Sequence, residues 1–449
     1  MRVGTTSRMI AGCCALVAAA SGPAAAEPAR SPDLPLPGSL VAAIARDLRI
    51  DAREYVARAG TAERLTGFET LAGLAYPRVF AGVRMDGTHG VVAVAEGIGA
   101  ADARHAAEQA GFTVESAAES MAALLTRRGA FERWLAEQPA AVTDGIRGYG
   151  IDVEHNALTV RVVAGTRLPA EAGSVRTVPD DRPRTGPGPE DTPPGIGFES
   201  EADADFIGGQ PFGVNYRGHT PRCTLGFNGA DADGHAVNIT AGHCDPNNWF
   251  DPAASGDPQP VYEIGADGRA GTVGHFTESE LGPHDWGVIR VADSYASRFR
   301  NNLVSTRSVP GAENDPADGP QLVRAATETL TIDGTADPVA GAPVCKTGLM
   351  TGYTCGTVDS VDQTFLIAGV PGDEQRPVRI ENMFTTGLCS RRGDSGGPVF
   401  MGSKAVGLTS SGKADETLPA PRCGPAPLHI VQPIGVVLRE NPGLSVRTE

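Results

Sequence analysis

Gly393-Asp394-Ser395-Gly396-Gly397-Pro398 places a serine among glycines near the C-terminal end of a 449-residue chain. A serine hydroxyl is a weak nucleophile until a base takes its proton and donors receive the charge that develops on the substrate. The flanking glycines allow a sharp backbone turn, which presents the hydroxyl and aims the residue's own N–H at the same point. Alone, the string could be a glycine-rich turn. Two further segments supply what the serine lacks. Thr240-Ala241-Gly242-His243-Cys244 closes an apolar strand and holds His243 at its end. His284-Asp285-Trp286-Gly287-Val288-Ile289-Arg290-Val291 sets Asp285 at the start of another. Each has a bland reading, as a structural histidine and a turn aspartate. Together they provide a base, and the anion that fixes the base's tautomer and stabilises its protonated form.

The elements that must position these three residues belong to a chain too long for one core, so two or more folded units are expected. A hydrophobic content of 41% with 20% charged residues fits globular domains rather than wholesale disorder. The net charge of −16 disfavours nucleic acid as a partner, because phosphates would be repelled. Residues 1–26 read as a secretory signal, with Arg2 and Arg8 at the start, a short apolar stretch from Met9 to Ala20, and small residues Ala24-Ala25-Ala26 before Glu27. No later stretch is long enough to cross a bilayer, so the mature chain is expected to be exported, extracellular and without a membrane partner. Cys13 and Cys14 leave with the signal. Cys223, Cys244, Cys345, Cys355, Cys389 and Cys423 remain, an even number that in an exported chain favours disulfides. Pairing in sequence order, giving three local loops, is the expected arrangement. A zinc site is disfavoured because no two of these cysteines have the usual ligand spacing.

Residues 27–205 read as a small α/β region without cysteine. Leu40, Ile44 and Leu48 share a helical face, and Asp51 with Glu54 three positions on is a capping pattern. Strands are expected near 79–83 and 90–94, helices over Ala101–Ala110 and Met121–Leu135, and a hairpin turning at His155-Asn156. Residues 165–205 form a boundary, with a Pro/Gly-rich linker over Arg182–Glu190 and an acidic stretch over Glu199–Asp205. From Phe206 onward short alternating segments recur between turn residues, as in an antiparallel sandwich or barrel. They include Ala236–Ile239, Trp286–Val291, Thr329–Ile332, Phe365–Ala368 and Ala405–Leu408. A helix is expected only at Ile434–Glu440.

Residues 206–449 resemble the chymotrypsin-fold serine proteases of the S1 family, and within them the secreted bacterial branch of streptogrisin and α-lytic-type proteases. The resemblance rests on Arg222-Cys223-Thr224-Leu225-Gly226-Phe227, the segment around His243, Asp285 to Arg290, Val344 to Gly348, Thr351 to Val358, Cys389 to Pro398, and Gly407-Leu408-Thr409-Ser410. It implies an all-β fold of two six-stranded β-barrels with the site between them, and disulfides 223–244, 345–355 and 389–423. It implies that His243 is the general base, Asp285 its orienting acid and Ser395 the nucleophile towards a peptide carbonyl, with the N–H groups of Gly393 and Ser395 as the oxyanion hole. Ser410 matches the serine that supports the triad aspartate, and Ser410 to Gly412 the edge that pairs with the substrate backbone. No cofactor or metal is implied. The primary pocket should involve Arg391, Arg392, Thr409, Ser410, Ser411, Gly412 and the segment near His429. Glutamate-specific relatives carry a histidine where this chain has Thr409, so a large apolar P1 residue is expected. Arg147 to Val153 resembles the family's pro-region, implying that residues 27–205 assist folding and inhibit until removed, by cleavage between about 170 and 207 and nearest Phe206–Ile207. The mature enzyme is expected to be a monomer acting on peptides and proteins.

Two features depart from the family pattern. Lys346 stands where an arginine usually follows the cysteine, and an ion pair between Lys346 and the buried Asp394 is expected. Residues 245–284 and 295–327 are longer than in compact members and should lie at the cleft rim. The competing readings are a secreted non-catalytic binding protein on a protease fold, which would need a lost triad member, and an esterase. A metalloenzyme is disfavoured because no His-Glu-x-x-His motif occurs. Asp231 and Asp233 read as a solvated turn rather than a calcium site. Asn238 reads as buried core rather than a glycosylation acceptor.

Overall fold

A computed structural model describes residues 36–180, 204–215, 220–249, 258–265, 268–307, 328–368, 377–415, 417–418, 422–425 and 427–449. The expected signal, the linker over 182–190 and most of the acidic stretch lie outside the described residues. Leu36–Glu449 packs as one unit.

The N-terminal part begins with helix Gly38–Ala43, a wider turn over Ile44–Leu48 and helix Ala52–Ala75. Asp51 caps the long helix by accepting from Glu54 N at 2.8 Å, the pattern visible in the sequence. Strands Phe80–Asp86 and His89–Ala95 pair antiparallel, and Thr113–Ala117 joins them in parallel after helix Ala100–Gln109. Helix Met121–Ala136 follows. The hairpin Ile146–Asp152 with Ala157–Val162 turns at Asn156, which takes the left-handed φ of 47° expected of a turn asparagine. Part of the stretch read as boundary is ordered: Arg176–Pro179 adds in parallel to Ala157–Val162.

From residue 206 the described residues build two large sheets and a two-stranded one, Leu303–Ser305 with Thr329–Thr331. In the first, eight strands run in an open order from Ser445–Val446 through Phe227–Ala230, Ala236–Thr240, Asp285–Val291, Gly268–Leu281, Pro260–Gly265 and Pro211–Val214 to Arg222–Thr224. In the second, Pro343–Lys346, Pro398–Met401, Lys404–Lys413, Leu428–Pro433, Val378–Thr386 and Thr354–Ile367 pair in turn. Thr354–Ile367 then pairs back to Pro343–Lys346, so the six strands close a ring. The first sheet thus has more strands than a six-stranded barrel and an open order among the described residues. Disulfides join Cys223 to Cys244, Cys345 to Cys355 and Cys389 to Cys423, the pairing in sequence order.

The N-terminal part is not tethered only by its linker. Ile146–Asp152 pairs antiparallel with Thr354–Ile367, placing Gly150 opposite Gln363 and Gly148 opposite Phe365. The second sheet therefore continues through Ile146–Asp152, Ala157–Val162 and Arg176–Pro179. On another face Leu40, Ile44 and Tyr55, all fully buried, share a core with Tyr353, Phe400 and Trp286. The Tyr55 hydroxyl accepts from Gly402 N at 3.0 Å. The Asp47 carboxylate accepts from Cys355 N at 2.9 Å.

The seam constrains side-chain size. A Cβ on Gly148 would lie 2.6 Å from the carbonyl oxygen of Thr364, whereas one on Gly129, inside a helix, would meet nothing within 4 Å. Gly148→Ala should therefore destabilise the intact chain by about 1–3 kcal/mol. Gly129→Ala should stabilise it by up to about 1 kcal/mol. Denaturant midpoints of the two variants against the parent check the contrast.

Candidate active site

Strand Ala236–Thr240 delivers His243 on a single 3-10 turn, Gly242–Cys244, and the Cys223–Cys244 disulfide staples that turn to strand Arg222–Thr224. Asp285 opens strand Asp285–Val291, which pairs with Ala236–Thr240 so that Thr240 faces Gly287. The pairing brings the two residues together. His243 Nδ1 lies 2.8 Å from Asp285 Oδ2, and His243 N donates to Asp285 Oδ1 at 2.9 Å. Asp285 is 1% exposed. A buried carboxylate must be satisfied by donors, and the second sheet supplies one: Ser410 Oγ donates to Asp285 Oδ2 at 2.5 Å. The backbone N of Asp285 donates to Gln432 Oε1 at 2.9 Å, fixing the strand start from below.

Ser395 sits on the turn between Cys389 and strand Pro398–Met401. Gly393 and Gly396 take φ values of 101° and 82°, which L side chains resist. Thr224 holds this turn from the first sheet: its N donates to Ser395 O at 2.8 Å, and its hydroxyl donates to Gly393 O at 2.7 Å. Ser395 O also lies 3.9 Å from Cys244 Sγ, next to His243 in the chain. The N–H groups of Asp394, Gly396 and Gly397 have carbonyl acceptors. Those of Gly393 and Ser395 meet none among the described residues, and they are the two donors expected to face an oxyanion.

Asp394 is fully buried and turned away from the cleft. Its Oδ1 accepts from Met350 N at 2.7 Å and Thr351 N at 3.1 Å. Its Oδ2 accepts from Arg391 N at 2.9 Å and Thr351 Oγ1 at 2.6 Å. Lys346 Nζ stands 3.3 Å from Oδ2, with both side chains 0% exposed, and also donates to Thr351 Oγ1. Burial holds the lysine below its ordinary value, while Asp394 pulls the other way. The structure thus brings together the two residues expected to pair.

The expected pocket residues fall into two groups. Thr409 and Ser410 are buried, while Ser411 and Gly412 are half-buried on the same strand. Arg392 is exposed. Arg391 is committed elsewhere, donating to Leu418 O at 3.1 Å and to Arg422 O. His429, fully buried, lies between two hydroxyls: Nδ1 is 3.0 Å from Thr386 Oγ1, and Nε2 is 3.1 Å from Thr409 Oγ1. Burial first, and then the charge of Lys346, keep this imidazole well below its ordinary value, so it is neutral in the folded chain. Sequence reasoning passed over Thr224, Thr386 and Gln432. Gln432 left a signal, an amide inside the apolar strand Leu428–Pro433; the two threonines, common strand residues, left none. Asn238 is fully buried, donating to Asn228 Oδ1 at 2.9 Å.

Residues 238–422 match the trypsin family, so this part of the chain is a chymotrypsin-fold serine protease domain of the endopeptidase class. Serine protease 2 of Streptomyces fradiae is 27% identical over 196 residues, 43% of this chain and 88% of the relative. Streptogrisin-C of Streptomyces griseus is 26% identical over 406 residues, 89% of this chain and 74% of the relative. Among solved structures, Thermobifida fusca Protease A is 25% identical, covers 55% of this chain over its whole length, and aligns with a TM-score of 0.38.

Removing one partner of a buried ion pair strands the other. Lys346→Ala should cost about 3–5 kcal/mol of stability, read from denaturant midpoints. His429 gives a pH dependence. Its folded value lies below the 6.5 of an exposed histidine, so below that pH the unfolded chain binds a proton that the native chain refuses. Its contribution is intact above pH 6.5 and falls as pH drops, by up to about 1.4 kcal/mol per pH unit for one proton. His429→Gln should flatten that part of the stability profile between pH 6.5 and 5.

Proposed function

We propose that this chain is a secreted serine endopeptidase, made as a proenzyme, that cleaves peptide bonds through an acyl-enzyme on Ser395. The carrying observation is the buried carboxylate Asp285, gripped by His243 N, His243 Nδ1 and Ser410 Oγ. That grip holds the imidazole in the tautomer whose basic nitrogen is Nε2, the atom that in this proposal takes the Ser395 proton and returns it to the leaving amine. As the carbonyl oxygen gains charge, the N–H groups of Gly393 and Ser395 receive it. Asp394, locked by Lys346 and three backbone N–H groups, keeps that turn shaped before substrate arrives. Ser410 to Gly412 offers an edge for an extended peptide. A large apolar P1 residue remains the favoured preference, because His429, the histidine that contacts Thr409, is neutral and gives an acidic side chain no positive charge. The same triad would serve an esterase, which casein digestion separates from a protease, and a non-catalytic binder would need a lost triad member.

Residues 27–205 act, in this proposal, as folding aid and inhibitor. The support is the shared sheet through Ile146–Asp152 and the alignment with streptogrisin-C over most of the chain. Phe206 and Ile207 are each 5% exposed. Phe206 N donates to Arg298 O at 2.8 Å, and its carbonyl accepts from Asn228 and Asn301. A bond so enclosed offers a protease no access in this fold, so we place processing upstream of Ala204, whose carbonyl is itself held by Arg298 Nε at 2.6 Å.

Casein digestion and labelling by a serine-directed phosphonate test the activity, and Ser395→Ala should lose both. Asp285→Asn should lower kcat by about 10⁴ while leaving the fold in place. Retention of casein digestion by Ser395→Ala would overturn the proposal. N-terminal sequencing of the secreted form should give a first residue at or before Ala204.

A further inference from the structure

The stretch that runs on from His243 begins with a second buried carboxylate. Asp245 is 4% exposed and directly follows the 3-10 turn Gly242–Cys244. Its Oδ1 accepts from Asn247 N at 2.9 Å, and its Oδ2 accepts from Ser279 Oγ at 2.7 Å. Burial pushes this carboxyl up, against the pull of those two bonds. The triad makes no use of it, because the base already has its anion in Asp285. Taking a carboxylate out of water is unfavourable, so what Asp245 holds in place matters.

Its partners form a closed bracket. The one proton of Ser279 Oγ goes to Asp245, so this hydroxyl accepts from Asn248 Nδ2 at 3.1 Å. Asn248 Nδ2 also donates to Gly242 O at 2.7 Å. The backbone N of Asp245 donates to the same carbonyl at 3.0 Å, and Asn248 N donates to Asp245 O at 3.1 Å. Ser279 lies on strand Gly268–Leu281 opposite Gly287, and Gly287 is opposite Thr240. The bracket is therefore anchored to the sheet and not only to its own loop. Gly242 O and His243 N belong to one rigid peptide plane. The N–H of that plane is donated to Asp285 Oδ1 at 2.9 Å, and its C=O is held by the bracket.

We propose that Asp245, acting through Ser279 and Asn248, is a positioning residue for His243: it locks the peptide plane that carries the base. On the reading of His243, Asp285 and Ser395 as a triad, on which this proposal rests, the base needs a fixed main chain as well as a fixed ring. Asp285 grips the N–H of the plane and Nδ1 of the ring, both on one side. The plane could still pivot about that anion. The second grip, on the carbonyl, removes the pivot. Misplacing a catalytic group by about an ångström costs about a hundredfold in rate. Residues 245–284, the stretch longer than in compact relatives, thus begin by supporting the base. The rival is a bracket that only closes a turn, whose loss leaves His243 in place.

The test uses the full chain carrying Ser395→Ala, which prevents self-digestion, with its histidines labelled by nitrogen-15. The label reports the His243 amide and the His243 Nδ1 proton, the two groups that face Asp285. In Asp245→Ala and Asn248→Ala the His243 amide should exchange with solvent at least about tenfold faster than in the parent, and the Nδ1 proton resonance should move to higher field. Asp245→Asn keeps an oxygen for Ser279 Oγ and should restore both. The amide of His429, on the second sheet, should exchange as in the parent. Melting curves show which variants are folded, and Asn248→Ala, which leaves the carboxylate and its donors in place, carries the test alone if Asp245→Ala is not. In the processed enzyme Asn248→Ala should lower kcat by about tenfold or more with KM unchanged. Parental exchange and resonance in the folded variants, or a parental kcat, would overturn the proposal. So would equal acceleration at His429, which marks a loss of overall stability. Exchange is read without turnover, so a failure of the catalytic reading shows separately, as absence of casein digestion by the parent enzyme.

Discussion

Asp285 is a buried carboxylate with no lysine or arginine paired to it among the described residues, and donors from both sheets satisfy it. Its two oxygens draw donors from both sheets. His243 comes from the end of a strand in the first sheet, and Ser410 from the middle of a strand in the second. Gln432, from the next strand of the second sheet, takes the aspartate's own N–H. The His243 contacts form within the first sheet, whereas those of Ser410 and Gln432 require the second sheet to be docked against it. Leaving a buried carboxylate short of the Ser410 donor would cost on the order of 1–3 kcal/mol, so the docking of the sheets completes the site.

Asp394 solves the same problem differently. It has a counterion, but a lysine rather than the forked guanidinium that could meet both oxygens. Backbone N–H groups of Met350, Thr351 and Arg391, together with the Thr351 hydroxyl, complete the shell. Three of those donors lie on the segment between Pro343–Lys346 and Thr354–Ile367, which the Cys345–Cys355 disulfide closes. The shape of the Ser395 turn therefore depends on a loop about forty residues upstream. It also explains why both Gly393 and Gly396 must adopt conformations that side chains resist: the turn has to send the Asp394 side chain inward and the Ser395 side chain outward within two residues.

The sequence made the local elements legible wherever a single segment held all the information. The Asp51 cap, the turn at Asn156 and the terminal helix Ile434–Glu440 are each specified by neighbouring residues, and each stands where the pattern puts it. The residues of the site were visible because motifs of unusual composition mark them. What stayed hidden was set by partners distant in the chain. Strand Arg176–Pro179 lies in a stretch that composition alone reads as a boundary, and it is ordered by backbone bonds to Ala157–Val162. Thr386 and Thr409 resemble any strand threonine until His429 is found between them. The bond from Ser279 to Asp245 joins residues 34 positions apart, on segments whose proximity no spacing rule reports.

The edge of Thr354–Ile367 shows how the two halves constrain each other. With Ile146–Asp152 in place, its backbone groups are paired and the sheet ends instead at Arg176–Pro179. Without that strand, the same edge would face solvent, and a long regular edge invites pairing with other chains. The strand is not regular. Its register with Val378–Thr386 shifts between Val358 and Ser360, between Ser360 and Gln363, and between Gln363 and Phe365, and Asp362 takes a left-handed φ of 50°. Bulges and a charged residue at an edge are devices that discourage indiscriminate pairing. They do not prevent pairing with a strand built to fit: Gly148 and Gly150 present no side chains where Thr364 and Gln363 crowd closest. The edge is thus shaped to accept its own N-terminal strand and to resist others, as a surface covered in one state and exposed in another would require.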